Sequence, residues 1–262
     1  MNNPKISVIT ICFNSEQYIE DAIKSVVNQP YENKEYIVID GGSTDNTLKI
    51  IGKYNDKIDY FVSEPDKGIS DAFNKGIRAA TGDLIGILNS DDFMMPDVLS
   101  QIAKEYDPDI DIYRGHSYTW DYKINKKYLS CPNDKFKIVP FEPRICHEAA
   151  YISKKAYDKY GLYRDFKYLM DLDLFIRMYN NGVRSKFIDV AVITFRVGGA
   201  SSVSEKYLSK ERRRVILENG GSLFQALTYV LYNRLRYNLK LVLNFIAKDL
   251  KYKIKYNGNQ SI

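Results

Sequence analysis

The stretch Leu84-Ile85-Gly86-Ile87-Leu88-Asn89-Ser90-Asp91-Asp92 decides how this chain is read. Its apolar run is too short for a helix and is bounded by Gly82-Asp83 and Met94-Met95-Pro96, which predicts a strand buried on both faces. The strand ends in carboxylates. Two adjacent acids at the mouth of an apolar strand repel each other and lose hydration, so a positive charge is expected beside them. A divalent cation carrying a diphosphate fits, because hard cations take oxygen ligands and leave coordination positions for phosphate. Taken alone, Asn-Ser-Asp-Asp is equally good turn chemistry, and the neighbouring segments have to decide.

Upstream, Ile6 to Phe13 predicts another buried strand, and Ser15 is placed to cap a helix in which Tyr18, Ile19, Ala22, Ile23, Val26 and Val27 recur at helical spacing. Tyr36 to Asp40 predicts a second strand ending in an acid. In the following Gly41-Gly42-Ser43-Thr44-Asp45, Ser43 or Thr44 is placed to cap a helix with Asp45 in its first turn. Asp59 to Val62 predicts a third strand, before Glu64-Pro65-Asp66-Lys67-Gly68. A helix follows with the buried stripe Ile69, Ala72, Phe73, Ile77 and Ala80, leaving Asp71, Asn74 and Lys75 off it. Strand and helix in alternation predict an α/β fold, a parallel sheet with helices on both faces. Such sheets bind ligands at the strands' carboxyl ends, where Asn14, Asp40, Asp66-Lys67 and Asn89 to Asp92 all fall.

Downstream, a helix is expected from Pro96-Asp97 to about Tyr106, then a strand over Asp109 to Tyr113. Residues 117–140 alternate aromatic and polar around Pro132-Asn133-Asp134, which suggests a hairpin or small mixed lobe. Tyr118, Trp120 and Tyr122 there suit strand packing or stacking on a sugar ring. A last strand runs from Lys186 to Phe195, followed by Arg196.

Hydrophobic residues at 45% and charged residues at 27% describe an ordinary globular chain, so disorder explains nothing here. Cys12, Cys131 and Cys146 are odd in number and widely spaced, which argues against a disulfide framework or a zinc site and for a reducing compartment. The first apolar run meets Asn14 too soon for a signal peptide or a membrane span. The net charge of +5 is uneven: from Glu205 onward twelve Lys or Arg face four acids, so the body before it is slightly acidic. That basic, aromatic-rich tail suits an anionic membrane surface, with packing on the domain or on a second subunit the alternatives. No recognised nucleic-acid module accompanies it.

The motifs ending at Asn14, Val38-Ile39-Asp40-Gly41-Gly42-Ser43-Thr44-Asp45, Glu64-Pro65-Asp66-Lys67-Gly68 with Asp71 and Asn74, and Asn89-Ser90-Asp91-Asp92 resemble those of the family 2 glycosyltransferases. These have the GT-A nucleotide-sugar fold, and the likeness is to small bacterial members that build surface polysaccharides. The resemblance implies a mostly parallel central sheet with flanking helices, a small mixed acceptor-side lobe and a C-terminal helical tail. It sets a glycosyltransferase domain at 1–204, with a nucleotide-binding half at 1–95 and an acceptor half at 96–204, and a tail at 205–262. It further implies inverting transfer of a sugar from a UDP- or dTDP-sugar to a hydroxyl of a glycan or lipid-linked acceptor, with Mn²⁺ or Mg²⁺, at the cytoplasmic face of the cell membrane.

Carried onto this chain, the resemblance puts Ile11, Phe13 and Asn14 by the base and has Asp40 accept from its imide N–H. Lys67, Asp71 and Asn74 would line the nucleotide and sugar side. Asp91 would take the metal, with Ser90 in the same motif, Asn89 on the ribose and Asp92 either supporting Asp91 from behind or reaching the sugar. Leu169-Met170-Asp171-Leu172-Asp173-Leu174 is similar to the family's Glu-Asp-X-Asp-Leu segment, which makes Asp171 the catalytic base. Arg196 would meet the diphosphate, and His147 would lie on the acceptor side with Asp173, which, two positions on in a helix start, points away from Asp171 and supports or caps. Two positions depart from the pattern: Asn89 replaces the first acid of Asp-X-Asp, and Met170 replaces a glutamate. These departures keep open a catalytically silent nucleotide-sugar binder or scaffold. A Rossmann oxidoreductase is a distant third, since Gly41-Gly42-Ser43 lacks the GxGxxG spacing.

Overall fold

The computed structural model describes residues 3–131, 145–198 and 205–246. In chain order, β1 (Ile6–Cys12), α1 (Ile19–Val27), β2 (Lys34–Asp40), α2 (Thr47–Gly52), β3 (Tyr60–Ser63), α3 (Ile69–Ala79) and β4 (Leu84–Asn89) alternate as expected. The four strands are parallel in the spatial order β3-β2-β1-β4. Leu84 to Leu88 are all buried, and Asn89 emerges half-buried where the strand leaves the core. The period of two divides the strands between two apolar layers. Ile9, Ile37, Ile85 and Ile87 pack with Phe73 and Ile77 of α3, while Val8, Val38, Leu84 and Leu88 pack with Ile19, Ile23 and Val26 of α1.

The second half changes the sheet. It comprises β5 (Phe93–Met94), α4 (Val98–Lys104), β6 (Ile112–Asp121), β7 (Lys126–Ser130), β8 (Ala150–Ser153), α5 (Lys154–Tyr160), α6 (Met170–Asn180) and β9 (Ser185–Arg196). Short β8 enters antiparallel between β4 and β6, β9 runs parallel to β6, and β5 pairs antiparallel with β9. The expected mostly parallel sheet is therefore mixed. Tyr151 of β8 lies against Gly86 so closely that a Cβ there would stand 2.4 Å from its ring. The expected hairpin forms between β6 and β7, with its turn at 122–125; Pro132-Asn133-Asp134 lies outside the described residues.

Two more helices follow, α7 (Glu205–Glu218) and α8 (Leu223–Ile246). Val215 and Ile216 of α7 and Ala226 and Tyr229 of α8 are buried in the same apolar cluster as Leu174 and Phe175 of α6. The Glu211 carboxylate accepts from the backbone N–H groups of Lys167, Tyr168 and Leu169 at 2.8–3.1 Å, just before α6 begins. Among the described residues no helix is long and apolar enough to cross a membrane. The basic Lys248, Lys251, Lys253 and Lys255 lie outside the described residues.

Candidate functional site

The carboxyl ends of β1, β2 and β4 meet at one edge. Asn14, in the left-handed region at φ 47°, ties the first to the second: its N–H donates to Ser43 Oγ at 2.8 Å and its Oδ1 accepts from the Thr44 N–H at 2.9 Å. Ser15, expected to cap α1, instead places its Oγ 2.8 Å from Ser90 Oγ, joining β1 to the acidic turn. Asp45 is the residue whose carboxylate receives the first N–H of α2, from Thr47 at 2.9 Å. Ile11 is buried in its strand, whereas Phe13 is 60% exposed. A Cβ on Gly41 would lie 2.6 Å from Asp66 Oδ2 and 3.5 Å from the Phe13 ring, so the glycine is what lets the two approach.

Asp40 is fully buried. Its oxygens accept from the N–H groups of Gly42 and Ser43 at 3.0 and 2.9 Å and from the hydroxyls of Ser43 and Ser63 at 2.5 and 2.7 Å. Burial alone would raise its carboxyl, but these hydrogen bonds outweigh it and hold the group below its usual value. With no surface open to a base, Asp40 braces the 41–44 loop in place of the base contact expected of it.

Lys67 is exposed, and Asp71 accepts from the Lys67 N–H at 3.1 Å, next to Lys75. Asn74 turns inward, its amide bonding the carbonyl and N–H of Tyr163 at 2.8 and 3.0 Å, so it fastens the loop before α6 and does not line the nucleotide side.

At the acidic turn, Asp91 is half-buried and Asp92 fully buried, so Asp92 has no surface for a sugar. Asp92 Oδ1 accepts from the Arg196 N–H at 2.7 Å, and Oδ2 has no partner. The Arg196 guanidinium donates to the Asp91 carbonyl at 2.7 Å and to Asp21 at 2.6 Å, and lies 4.8 Å from the Tyr18 ring centre. Its side chain thus ties the acidic turn to α1.

Glu148, in the 3₁₀ turn His147–Ala149, accepts from the Asn89 amide. Burial pushes Asp91, Asp92 and Glu148 upward, Asp92 to about 9 with Glu148 and Asp91 adding, and Glu148 to about 7 with Asp91 and Asp171 adding. Glu148 therefore feels both Asp91 and Asp171.

Asp171, half-buried in the first turn of α6, is lifted by burial to about 6, while its Oδ1 accepts from the Leu172 N–H at 2.7 Å. It lines a recess of about 120 Å³ with Ile145, Leu169, Phe175, Arg212 and Tyr229. Asp173 does not face this recess. It is fully buried, and its carboxylate is taken by Arg164, Arg177 and Asn219 at 3.3, 3.0 and 2.8 Å. His147 sits among Phe73, Tyr163 and Phe175, with Nε2 2.5 Å from the Tyr163 hydroxyl, and burial lowers it to about 4. It is a neutral core imidazole.

Sequence reasoning did not single out Glu148, Asp21, Glu211 or Arg212 as site residues. The available signal for Glu148 was an acid at the head of the apolar Ala149-Ala150-Tyr151-Ile152, but its reach to β4 depends on the antiparallel insertion of β8.

A divalent cation is implied by the resemblance, and the residues fit one. Asp91 is the half-buried carboxylate of the turn, and it raises both Asp92 and Glu148, a repulsion that a cation at Asp91 would relieve. Among the described residues no three His, Cys, Asp or Glu groups form a cage.

The family model of Glycosyl transferase family 2 matches residues 7–161, which take in β1 to β4, the acidic turn and β8. An uncharacterized glycosyltransferase of Haemophilus influenzae is 41% identical over 104 residues, which is 38% of this chain and 42% of that protein. This chain thus spans about two fifths of that relative's length. Staphylococcus aureus TarS, solved in complex with UDP-GlcNAc, superposes with a TM-score of 0.66 at 21% identity over 82% of this chain and 66% of that one. A mannosyltransferase of Pyrobaculum calidifontis, solved with GDP-Man and Mn²⁺, gives 0.62 at 17% identity over 87% and 70%. These likenesses give the chain the GT-A fold. With its own motifs at the matching strand ends and more than half of its length inside the family model, the chain belongs to glycosyl transferase family 2.

Proposed function

We propose that this chain is an inverting, metal-assisted glycosyltransferase that moves a sugar from a UDP- or dTDP-sugar to a hydroxyl of a glycan or lipid-linked acceptor in surface polysaccharide synthesis. The observation that carries the reading is Asp171, a buried but titratable carboxylate on the wall of a recess and electrostatically linked through Glu148 to Asp91. An acceptor hydroxyl in that recess is a poor nucleophile until a base removes its proton. Asp171, more basic than an ordinary aspartate yet ionised at neutral pH, suits that task. As the hydroxyl oxygen bonds to the anomeric carbon, the bond to the diphosphate breaks on the opposite face and the configuration inverts.

One base suffices, because the leaving diphosphate needs charge neutralisation and no proton. A bound divalent cation, which Asp91 would hold, supplies that neutralisation. The exposed Phe13 ring and the Asp66 beside it offer the nucleobase a stacking face and an acceptor. A panel of UDP-, dTDP- and GDP-sugars screened with Mn²⁺ for thermal protection tests the donor assignment. A UDP- or dTDP-sugar is expected to raise the melting temperature most; protection by a GDP-sugar alone would overturn that assignment.

The reading extends to an anionic membrane surface. On α8 the exposed Phe224, Leu227, Leu231 and Leu235 form a stripe opposite the buried Ala226, Tyr229 and Asn233. The helix contains no acid and carries Arg234 and Arg236. An apolar stripe flanked by cations alone suits anionic headgroups better than a second like-charged helix. Basic residues near such a surface contribute roughly 1 kcal/mol each, so Arg234→Gln with Arg236→Gln is expected to weaken binding to phosphatidylglycerol vesicles by roughly thirtyfold. Unchanged co-sedimentation would rule the membrane out as the occupant of this face.

A further inference from the structure

The first position of the acidic motif is an amide, and the structure shows what holds it. Asn89 Nδ2 donates to Glu148 Oε1, and Cys146 Sγ lies 3.7 Å from the other carboxylate oxygen. Glu148 is 7% exposed, so this pairing is made away from water. A carboxylate offers only lone pairs, so the nitrogen of the amide is the atom that must face it. Asn89 Oδ1 is then turned away from Glu148, at the half-buried end of β4. Asn89 is half-buried at the end of β4, two residues before Asp91 and next to Ser90, which is bonded across to Ser15.

We propose that Glu148 is a positioning residue for the donor: it fixes the Asn89 amide so that Oδ1 is presented to the nucleotide sugar as a hydrogen-bond acceptor. The pair does together what an aspartate would do alone. The acceptor oxygen sits on Asn89, and the negative charge that an amide lacks sits one contact behind it, on Glu148. An aspartate at position 89 would instead set two carboxylates against each other, to repel or to share a proton, and either way the outward oxygen loses the fixed orientation that an amide donating to an acid gives it.

This inference rests on the reading of the chain as a nucleotide-sugar enzyme, and its test separates the two. Nucleoside diphosphate affinity is measured by calorimetry in Mn²⁺, using UDP or whichever of dTDP and GDP the native chain binds more tightly, for the native chain, Asn89→Asp, Glu148→Gln and the double variant. Melting temperatures are recorded alongside. Asn89→Asp alone is expected to weaken binding by about tenfold, in line with leaving a charged buried hydrogen-bonding group unpaired. Glu148→Gln alone should cost only a few-fold, since an amide accepts from Asn89 in one of its two orientations. The double variant should return to within about twofold of native affinity, because its glutamine donates to the new carboxylate and that carboxylate still presents an acceptor outward.

A purely structural pair would move the melting temperatures and leave the dissociation constants unchanged. That outcome, or a double variant no better than Asn89→Asp, overturns the proposal while leaving the enzyme reading intact. A native chain that binds no nucleoside diphosphate removes both.

Discussion

Replacing Asp171 with Asn is expected to lower sugar transfer by roughly 10²–10⁴-fold, the usual contribution of a positioned general base. Nucleotide affinity should stay within about twofold, because Asp171 lies on the recess wall and not among the strand-end loops. The substitution is nearly isosteric, and its amide oxygen still accepts from the Leu172 N–H, so the fold is not expected to suffer. What is lost is the lone pair that takes the acceptor's proton.

The native pH profile should carry the same signature. Burial lifts Asp171 to about 6, so the carboxylate is the prevailing form at neutral pH and becomes the neutral acid as pH falls through that value. Transfer should fall by about tenfold per unit below pH 6, with the metal and donor saturating. Product formation measured across that range checks both expectations. An Asp171→Asn enzyme with native turnover would place the base elsewhere, and no turnover by the native chain with any donor would favour a binding subunit.

The second large effect belongs to the aspartate two positions on. Asp173→Ala should destabilise the fold by roughly 3–5 kcal/mol, the cost of leaving a buried charge without its partner. For a chain of this size that lowers the melting temperature by about 10 °C. Residues two apart on a helix point about 200° from each other, so Asp171 meets the recess while Asp173 points into the protein. There Arg177 donates through Nε to Asp173 at 3.0 Å while its other nitrogens hold the carbonyls of Tyr160 and Leu162. Arg164 and Asn219 reach the same carboxylate from the preceding loop and from the end of α7. Removing it releases the clamp between α5, α6 and α7. Thermal and urea unfolding measure the loss, and a native-like melting curve for Asp173→Ala would show that the buried network is replaceable by packing.

The contrast between these two acids shows what was legible in advance. Both stand in one motif, and both fall in the first turn of the helix that forms over Met170–Asn180. That Asp171 is open and Asp173 clamped depends on Arg164, Arg177 and Asn219, the last of them 46 residues further along the chain. Asp40 and Asn74 were misjudged for the same reason. Asp40 is filled by Ser63 as well as by its own loop, and Asn74 is drawn inward by Tyr163, 89 residues away. The guanidinium of Arg196 is engaged by the Asp91 carbonyl and by Asp21, 175 residues earlier.

Local pattern alone determined the buried strands ending at Cys12, Asp40 and Asn89, the helices between them and the gathering of polar loops at one sheet edge. Strand and helix periods and turn chemistry are set by residues within a few positions of each other. Tertiary structure alone decided the mixed sheet, the placing of β8 against β4, and which carboxylates stay available for chemistry. A carboxylate's role is fixed by the donors and charges that surround it, and in this chain those arrive from strands and helices far away in sequence.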